Sequence, residues 1–311
     1  MSEKPDKIKY HVRNWNKYDK ALVQRGSLTV WIENGVIETW LDMNSTARRG
    51  RRRTYSDLAI ECMLTLREVY HLPNRAAEGL TRSILQLLGL DLPAADHTTL
   101  SRRGRKLKLK FKSDEKRAIK HLVIDSTGLK VFGEGEWKVR SHGKGKRRTW
   151  RKLHLSIDAE TALITAAVIT DSSTLDRKEV SNLLDQTIGE IELVCADGAY
   201  DFVNCYGPIE NRGALPLIPP RSNAVIRGRK PFLHRDDNLR HIHKLGMKDW
   251  KMQSGYHRRS LAETGIFRLK TIFDDGLNAR RIDTQASQAL IRCLTLNRMS
   301  ELGMPDSYPV L

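Results

Sequence analysis

The sequence predicts an α/β protein: a helical N-terminal half, then a mixed sheet flanked by helices. Three observations predict it. Apolar residues recur at helical spacing between Trp31 and Leu100. After Lys120 the texture changes to short apolar or alternating runs that read as strands. Two long helical patterns follow the last strand, from about Tyr256 to Phe273 and from about Asp283 to Ser300.

Residues 1–30 are polar and basic, with Trp15 and Tyr18 as candidate anchors. Trp31, Ile32, Val36, Ile37, Trp40 and Leu41 come at near-helical spacing. Five arginines then fill six positions from Arg48 to Arg53 around Gly50. The run reads as a solvated linker or as an arm gripping phosphates, with Arg51, Arg52 and Arg53 as its contacts. Ser56-Asp57 is an N-cap signal. It opens a helix whose inward face is Leu58, Ala59, Cys62, Met63, Leu66 and Val69, stopped at Leu72-Pro73. A second helix from about Arg75 to Leu88 turns Ala76, Leu80, Ile84, Leu87 and Leu88 inward. A third begins near Thr98 and carries Arg102, Arg103, Arg105 and Lys106. Short helices ending on a basic one resemble a helix-turn-helix module. Residues 1–110 are therefore expected to form a helical DNA-binding domain.

The strands follow. His121 to Asp125 begins one that runs on to Phe132, and residues 133–150 are glycine-rich and basic. Lys146, Arg147 and Arg148 there are candidate phosphate contacts. Lys152 to Asp158 alternates as a second strand, and Leu163 to Ile169 is a third. Leu175 to Ile188 reads as a helix, Ile191 to Ala196 as a fourth strand and Leu215 to Ile218 as a short fifth, stopped by Pro219-Pro220. Residues 221–254 read as an irregular, basic insertion. The order of three strands, helix, strand, short strand, insertion and helix is that of an RNase H-like fold, assigned to residues 111–311.

Charge and composition narrow the function. The 311 residues carry 54 Lys and Arg against 37 Asp and Glu, a formal net charge of +17. Such an excess predicts a polyanionic partner, most simply nucleic acid. Residues 1–110 hold 21 basic and 12 acidic groups, and the remainder 33 and 25, so both halves are basic. Cys62, Cys195, Cys205 and Cys293 form no C-x-x-C pair, so neither a zinc ribbon nor a redox motif is supported. No stretch approaches the ~20 apolar residues that span a bilayer. No secretory signal precedes the first helix, so a cytoplasmic location without membrane attachment is expected.

Three carboxylates are candidates for two-metal chemistry, which needs hard oxygen ligands converging from distant parts of a chain. Asp125 follows the apolar run Leu122-Val123-Ile124, where a carboxylate is costly unless paired or metal-bound. The residues alone leave it as a ligand or a turn aspartate. Asp197 ends an apolar strand before Gly198-Ala199, with the same two readings; Asp158 and Asp201 look similar. Glu263 lies in the long helical pattern. At about 100° per residue, Tyr256, Arg259, Glu263 and Lys270 share a stripe about 60° wide, suiting a site that meets both cations and phosphates. His234, His241 and His243 lack a cysteine or carboxylate at zinc-ligand spacing and read as surface histidines.

Tyr256-x-x-Arg259-x-x-x-Glu263, followed by Lys270, resembles the YREK signature of bacterial insertion-sequence DDE transposases. The stretches His121 to Trp137, Cys195 to Asp201 and Gly255 to Thr264 resemble the insertion-sequence five branch, and the likeness runs from Val30 to Pro305. The resemblance implies that Asp125, Asp197 and Glu263 bind two Mg²⁺ per active site, with Mn²⁺ able to substitute. It implies a nucleoid-associated enzyme that cuts double-stranded DNA at terminal inverted repeats and joins the free 3′-hydroxyls to target DNA, as a homodimer or larger assembly. Arg259 and Lys270 would contact phosphates, and Tyr256 would bond DNA or pack. Trp250, in the insertion, is matched by type alone to an aromatic that holds a flipped base. On the N-terminal side Thr98, Thr99, Ser101, Arg102 and Arg103 are the candidates for reading base edges.

Overall fold

The computed structural model describes residues 9–32, 34–43, 54–112, 117–131 and 149–310. Arg51, Arg52, Arg53, Lys146, Arg147 and Arg148 lie outside the described residues.

Strand β1 (Lys9–Val12) and helix α1 (Trp15–Arg25) come first, then the short helices α2 (Leu28–Trp31) and α3 (Asn34–Glu38). Helices α4 (Asp57–Val69), α5 (Asn74–Leu87) and α6 (His97–Gly104) follow. Ser56 caps α4 as the sequence predicts: its hydroxyl oxygen accepts the Ala59 N–H at 3.0 Å, a contact worth about 1 kcal/mol. Asp96 caps α6, accepting the N–H groups of Thr98 and Thr99 at 2.9 Å each.

The sheet is built from β2 (Leu122–Val131), β3 (Trp150–Asp158), β4 (Ile164–Asp171), β5 (Leu193–Cys195) and β6 (Leu215–Leu217). Helix α7 (Val180–Gln186) lies between β4 and β5 in the chain, and α8 (Val203–Asn211) between β5 and β6. After β6 come α9 (Leu233–Leu245), α10 (Met247–Gln253), α11 (Ser260–Phe273), β7 (Gly276–Leu277), α12 (Ile282–Leu302) and β8 (Ser307–Val310). The spatial order is β4-β3-β2-β5-β6, with β7 beside the far end of β2. The first three strands are antiparallel, and β5 and β6 run parallel to β2. That is the RNase H-like arrangement expected from the order of elements.

Alternation along β2 divides the interior. Leu122 and Ile124 face a cluster built with α7 and α8. Val123 and Leu129 face the larger cluster, which contains α11 and α12. That larger cluster also contains Leu66 of α4, Leu85 of α5 and Leu100 of α6. The helical half and the sheet half thus share one core, and the expected boundary near residue 110 coincides with no break in packing. Polar bonds reinforce the junction. Arg292 of α12 donates to Glu68 of α4 at 2.6 Å, and Ser287 donates to the Gly104 carbonyl of α6 at 2.7 Å. Strands β1 and β8 pair antiparallel, tying residues near the two ends together.

Several expectations need correction. Residues 9–25 form a strand and a helix, and Trp15, expected as an anchor, is exposed. In α5 the buried face is Ala77, Thr81, Ile84 and Leu85, one residue round from the expected face, which leaves Leu87 and Leu88 in solvent. Leu58 is exposed as well. The insertion is helical over α9 and α10, not irregular, because its buried residues include the charged Arg235 and Asp236, which leave no apolar pattern in the sequence. Helix α8 is unexpected, since Pro208 sits inside it. Among the described residues no helix is long and apolar enough to cross a membrane.

Candidate active site

Strand register brings the first two carboxylates together. Leu122 and Val123 of β2 stand opposite Val194 and Cys195 of β5. Asp125 lies two residues past this pairing on β2 and Asp197 two residues past it on the chain leaving β5, close enough for the charge of Asp197 to act on Asp125. Each is oriented by a backbone donor: Asp125 accepts the Ser126 N–H at 2.8 Å, and Asp197 accepts the Ala199 N–H at 2.8 Å. Asp125 points to the α11 side of the sheet. Burial raises its pKa above the usual carboxylate value, as do the charges of Asp197 and Glu263, against the Ser126 hydrogen bond and Arg259. A buried carboxyl beside two others is a group in want of positive charge.

Arg259 supplies part of that charge. Its Nη1 lies 3.3 Å from Asp125 Oδ2, and its Nη2 donates to Glu263 Oε1. One guanidinium therefore spans the first and third predicted carboxylates. Glu263, in the first turn of α11, has a side chain 56% exposed. Gly265 lets this helix lie close to the sheet, because a Cβ there would stand 2.7 Å from Ile157 Cδ1. Lys270 is seven residues past Glu263, about 20° from it around the helix.

The predicted stripe is only partly helical in the expected sense. Tyr256–Arg259 is a 3₁₀ turn, and the α-helix begins at Ser260. A 3₁₀ turn advances faster than 100° per residue, so the uniform angles fail at the first two positions. Tyr256 is buried and packs on Trp250, ring centroids 5.6 Å apart. Burial pushes its hydroxyl up to about 12. Trp250 itself is 2% exposed. A ring enclosed in this way offers no face to a flipped base, so the expected role of Trp250 is corrected to that of a platform beneath Tyr256.

The other predicted contacts separate by burial. Arg102 is exposed on α6. Arg103 is not available to DNA in the same way: its side chain is 12% exposed and bonds the Tyr55 carbonyl at 2.8 Å and Asp57 at 2.6 Å. The predicted base readers Thr98 and Thr99 direct their hydroxyls to Asp96. Just after the glycine-rich basic segment, Arg151 and Lys152 of β3 turn to carboxylates, Arg151 to Asp171 and Lys152 to Asp176.

The two look-alike aspartates are structural. Asp158 is buried against Arg117 at 2.7 Å. Asp201 accepts from Arg235 Nε, the Tyr206 hydroxyl and the Arg221 N–H, each at 2.8 Å. This network anchors the insertion to the core, and nothing in the sequence pairs these residues. Asp201→Asn is expected to lower stability by about 2 kcal/mol, since it leaves the buried Arg235 with only the more distant carboxylate of Asp236, 3.7 Å away. Denaturant unfolding checks it, and a shift below 1 kcal/mol would dismiss the anchor.

A family model described as "Transposase DDE domain" matches residues 116–298, more than half of the chain. The chain belongs to the DDE transposase family. A second model of the same description matches residues 23–134, so the likeness extends through the helical half of this transposase. DDE transposases cut DNA and transfer its strands, and depend on a metal, generally Mg²⁺ or Mn²⁺. Among solved structures, the "Mos1 transposase paired-end complex with left transposon end" overlaps 77% of this chain and 84% of that one, at 9% identity and a TM-score of 0.22.

The transposase's own residues fit such a metal by donor chemistry. Three carboxylates supply hard oxygens, the ligands Mg²⁺ and Mn²⁺ prefer. Among the described residues no three His, Cys, Asp or Glu side chains already converge as a metal group; Glu263 is turned to Arg259 instead.

Proposed function

We propose that this transposase recognises the terminal inverted repeats of an insertion sequence, hydrolyses the DNA at its ends and transfers the freed 3′-hydroxyls into target DNA. Asp125, Asp197 and Glu263 hold two divalent cations for these steps. The observation that carries the reading is Arg259 linking Asp125 to Glu263, with Asp197 on the chain leaving the neighbouring strand. The spacing of Tyr256, Arg259, Glu263 and Lys270 supports membership of the YREK-bearing insertion-sequence five branch. When bound, the cations polarise the phosphodiester and meet charge on the attacking and leaving oxygens.

The protein groups divide the remaining work. The Ser126 and Ala199 N–H groups fix the orientation of the two aspartates. Glu263, exposed and on the facing helix, completes the ligand set by leaving Arg259. Arg259 and Lys270 then meet the phosphates beside the scissile bond. Ser101 and Arg102 on α6, both exposed, read the major groove of the end DNA. Two ends must be processed together, so a homodimer or larger complex works on the nucleoid.

Arg259→Ala is expected to slow cleavage roughly 10- to 100-fold, the worth of a charge-assisted hydrogen bond, while changing DNA affinity little. Exposed Arg258, which touches neither carboxylate, should tolerate alanine. Single-turnover cleavage and a binding titration compare the two; greater sensitivity at Arg258 would refute the placement of Arg259.

The whole reading is tested by strand transfer. The inverted repeats flanking the gene give the substrate. A pre-cleaved end with a free 3′-hydroxyl, mixed with plasmid and Mg²⁺, should yield joined products. Nicking without joining would instead favour a nuclease built on the same site.

A further inference from the structure

The carboxyl ends of β2, β4, β5 and β6 point to one edge of the sheet, because β4, β5 and β6 all run parallel to β2 in direction. Asp197 leaves that edge from β5. Arg177 leaves it in the 3₁₀ turn Asp176–Lys178 after β4, and Arg221 in the loop after β6. Phe202 follows the turn that Asp197 caps.

These three side chains form a stack. The guanidinium carbon of Arg177 lies 3.8 Å from the centroid of the Phe202 ring, and that of Arg221 lies 3.6 Å from it. Two groups so close to one centroid cannot share a face without overlapping, so the ring is sandwiched between them. Two like charges are thereby held apart by about the sum of those distances. No carboxylate among the described residues pairs with either guanidinium. Asp176, next to Arg177 in the chain, faces Lys152 at 3.2 Å, and Asp201, which accepts the Arg221 N–H, faces Arg235 at 2.8 Å. Stacking on an aromatic face spends the flat of a guanidinium and leaves its N–H edge for a planar or phosphate acceptor.

We propose that Arg177 and Arg221, held on the two faces of Phe202, bind neighbouring backbone phosphates of one DNA strand as it crosses the edge of the sheet beside Asp197. The proposal rests on the transposase reading given above and adds a grip on the strand outside the carboxylate site. A single arginine on a flexible stem gives a point of attraction; two set by one ring give a fixed spacing and direction. Strand direction is what an in-line displacement at the carboxylates needs.

The test is the salt dependence of binding to a nonspecific 30-base-pair duplex, without metal, for the full chain and for Arg221→Gln and the double variant Arg177→Gln/Arg221→Gln. Each phosphate contact contributes about one unit to the slope of log affinity against log salt. The slope should fall by about one in the single variant and about two in the double. Arg221 is exposed, so its removal leaves the core intact if Arg177 proves needed for folding. A stack that only clips the loop to the turn would lower the melting temperature and leave both slopes at the wild-type value, and that result would overturn the proposal. If the unaltered protein showed no salt-dependent binding at all, the failure would lie with the DNA-cleaving reading instead.

Discussion

Asp125→Asn is expected to bring metal-dependent DNA cleavage to background while leaving DNA binding measurable, and Asp197→Asn and Glu263→Gln should do the same. Each change keeps the volume of the side chain and removes the negative charge that would hold a cation. Lewis-acid stabilisation is worth several kcal/mol in the transition state, so a loss on the order of a thousandfold or more follows at about 1.4 kcal/mol per tenfold. The three need not behave alike in other respects. Asp125 is half enclosed, and burial already disfavours its charged form, so Asp125→Asn should not harm folding. Glu263→Gln should weaken its bond with Arg259 and free that arginine. Cleavage of labelled end DNA in Mg²⁺, with binding measured in parallel without metal, separates the effects. Full cleavage by any one variant would remove that residue from the ligand set.

The second large effect concerns stability. Glu68 and Arg292 are each about 5% exposed and joined at 2.6 Å, with Arg67 and Gln288 also on the carboxylate. Arg292 further donates to the Gly276 carbonyl at 2.8 Å. Arg292→Met should cost about 1–3 kcal/mol, because the buried Glu68 carboxylate loses one of its two arginine partners and keeps only Arg67. The double change Glu68→Met/Arg292→Met should recover much of that loss, since two apolar side chains replace the pair. Urea unfolding followed by circular dichroism measures both. A double variant no better than the single would show that the carbonyl contacts of Arg292 matter more than the ion pair. Acid adds a second check. Burial acts to raise the Glu68 pKa, but Arg67 and Arg292 outweigh it and hold the value below 4.5. A carboxylate with a lowered folded pKa contributes stability above its ordinary value, and that contribution fades as pH falls through and below it. The wild type should lose stability over that acid range and the double methionine variant less so.

Much of the sheet is legible in the sequence, because buried strands announce themselves as apolar runs: Leu122 to Ile124 and Val194 to Ala196 need no partner to be recognised. The site is less legible. Asp125, Asp158, Asp197 and Asp201 all follow strand-like or small-residue segments, and only tertiary structure separates them. Register sets Asp125 beside Asp197, whereas Arg117 and Arg235 take the other two. The resemblance to a known signature selects the same pair, but the residues alone do not. Helix α9 is hidden for a related reason. It is held inward by Arg235 and Asp236, and charged residues in a sequence look like surface. Trp250 misleads in the opposite direction, since an aromatic among basic residues suggests a nucleic-acid contact although its ring is enclosed.

Helix α12 also sets an order of events for the newborn chain. Its residues complete the larger cluster, receive α4 through Glu68 and α6 through the Gly104 carbonyl, and bond the first residue of β4 through Asn297. During synthesis α4, α5 and α6 leave the ribosome nearly two hundred residues before this partner exists. Contacts of such separation close late and slowly, and the waiting segments expose apolar faces meanwhile. A copy of the gene cut short before Ile282 should therefore yield no folded N-terminal fragment able to occupy DNA, only a chain for the cell's proteases to clear.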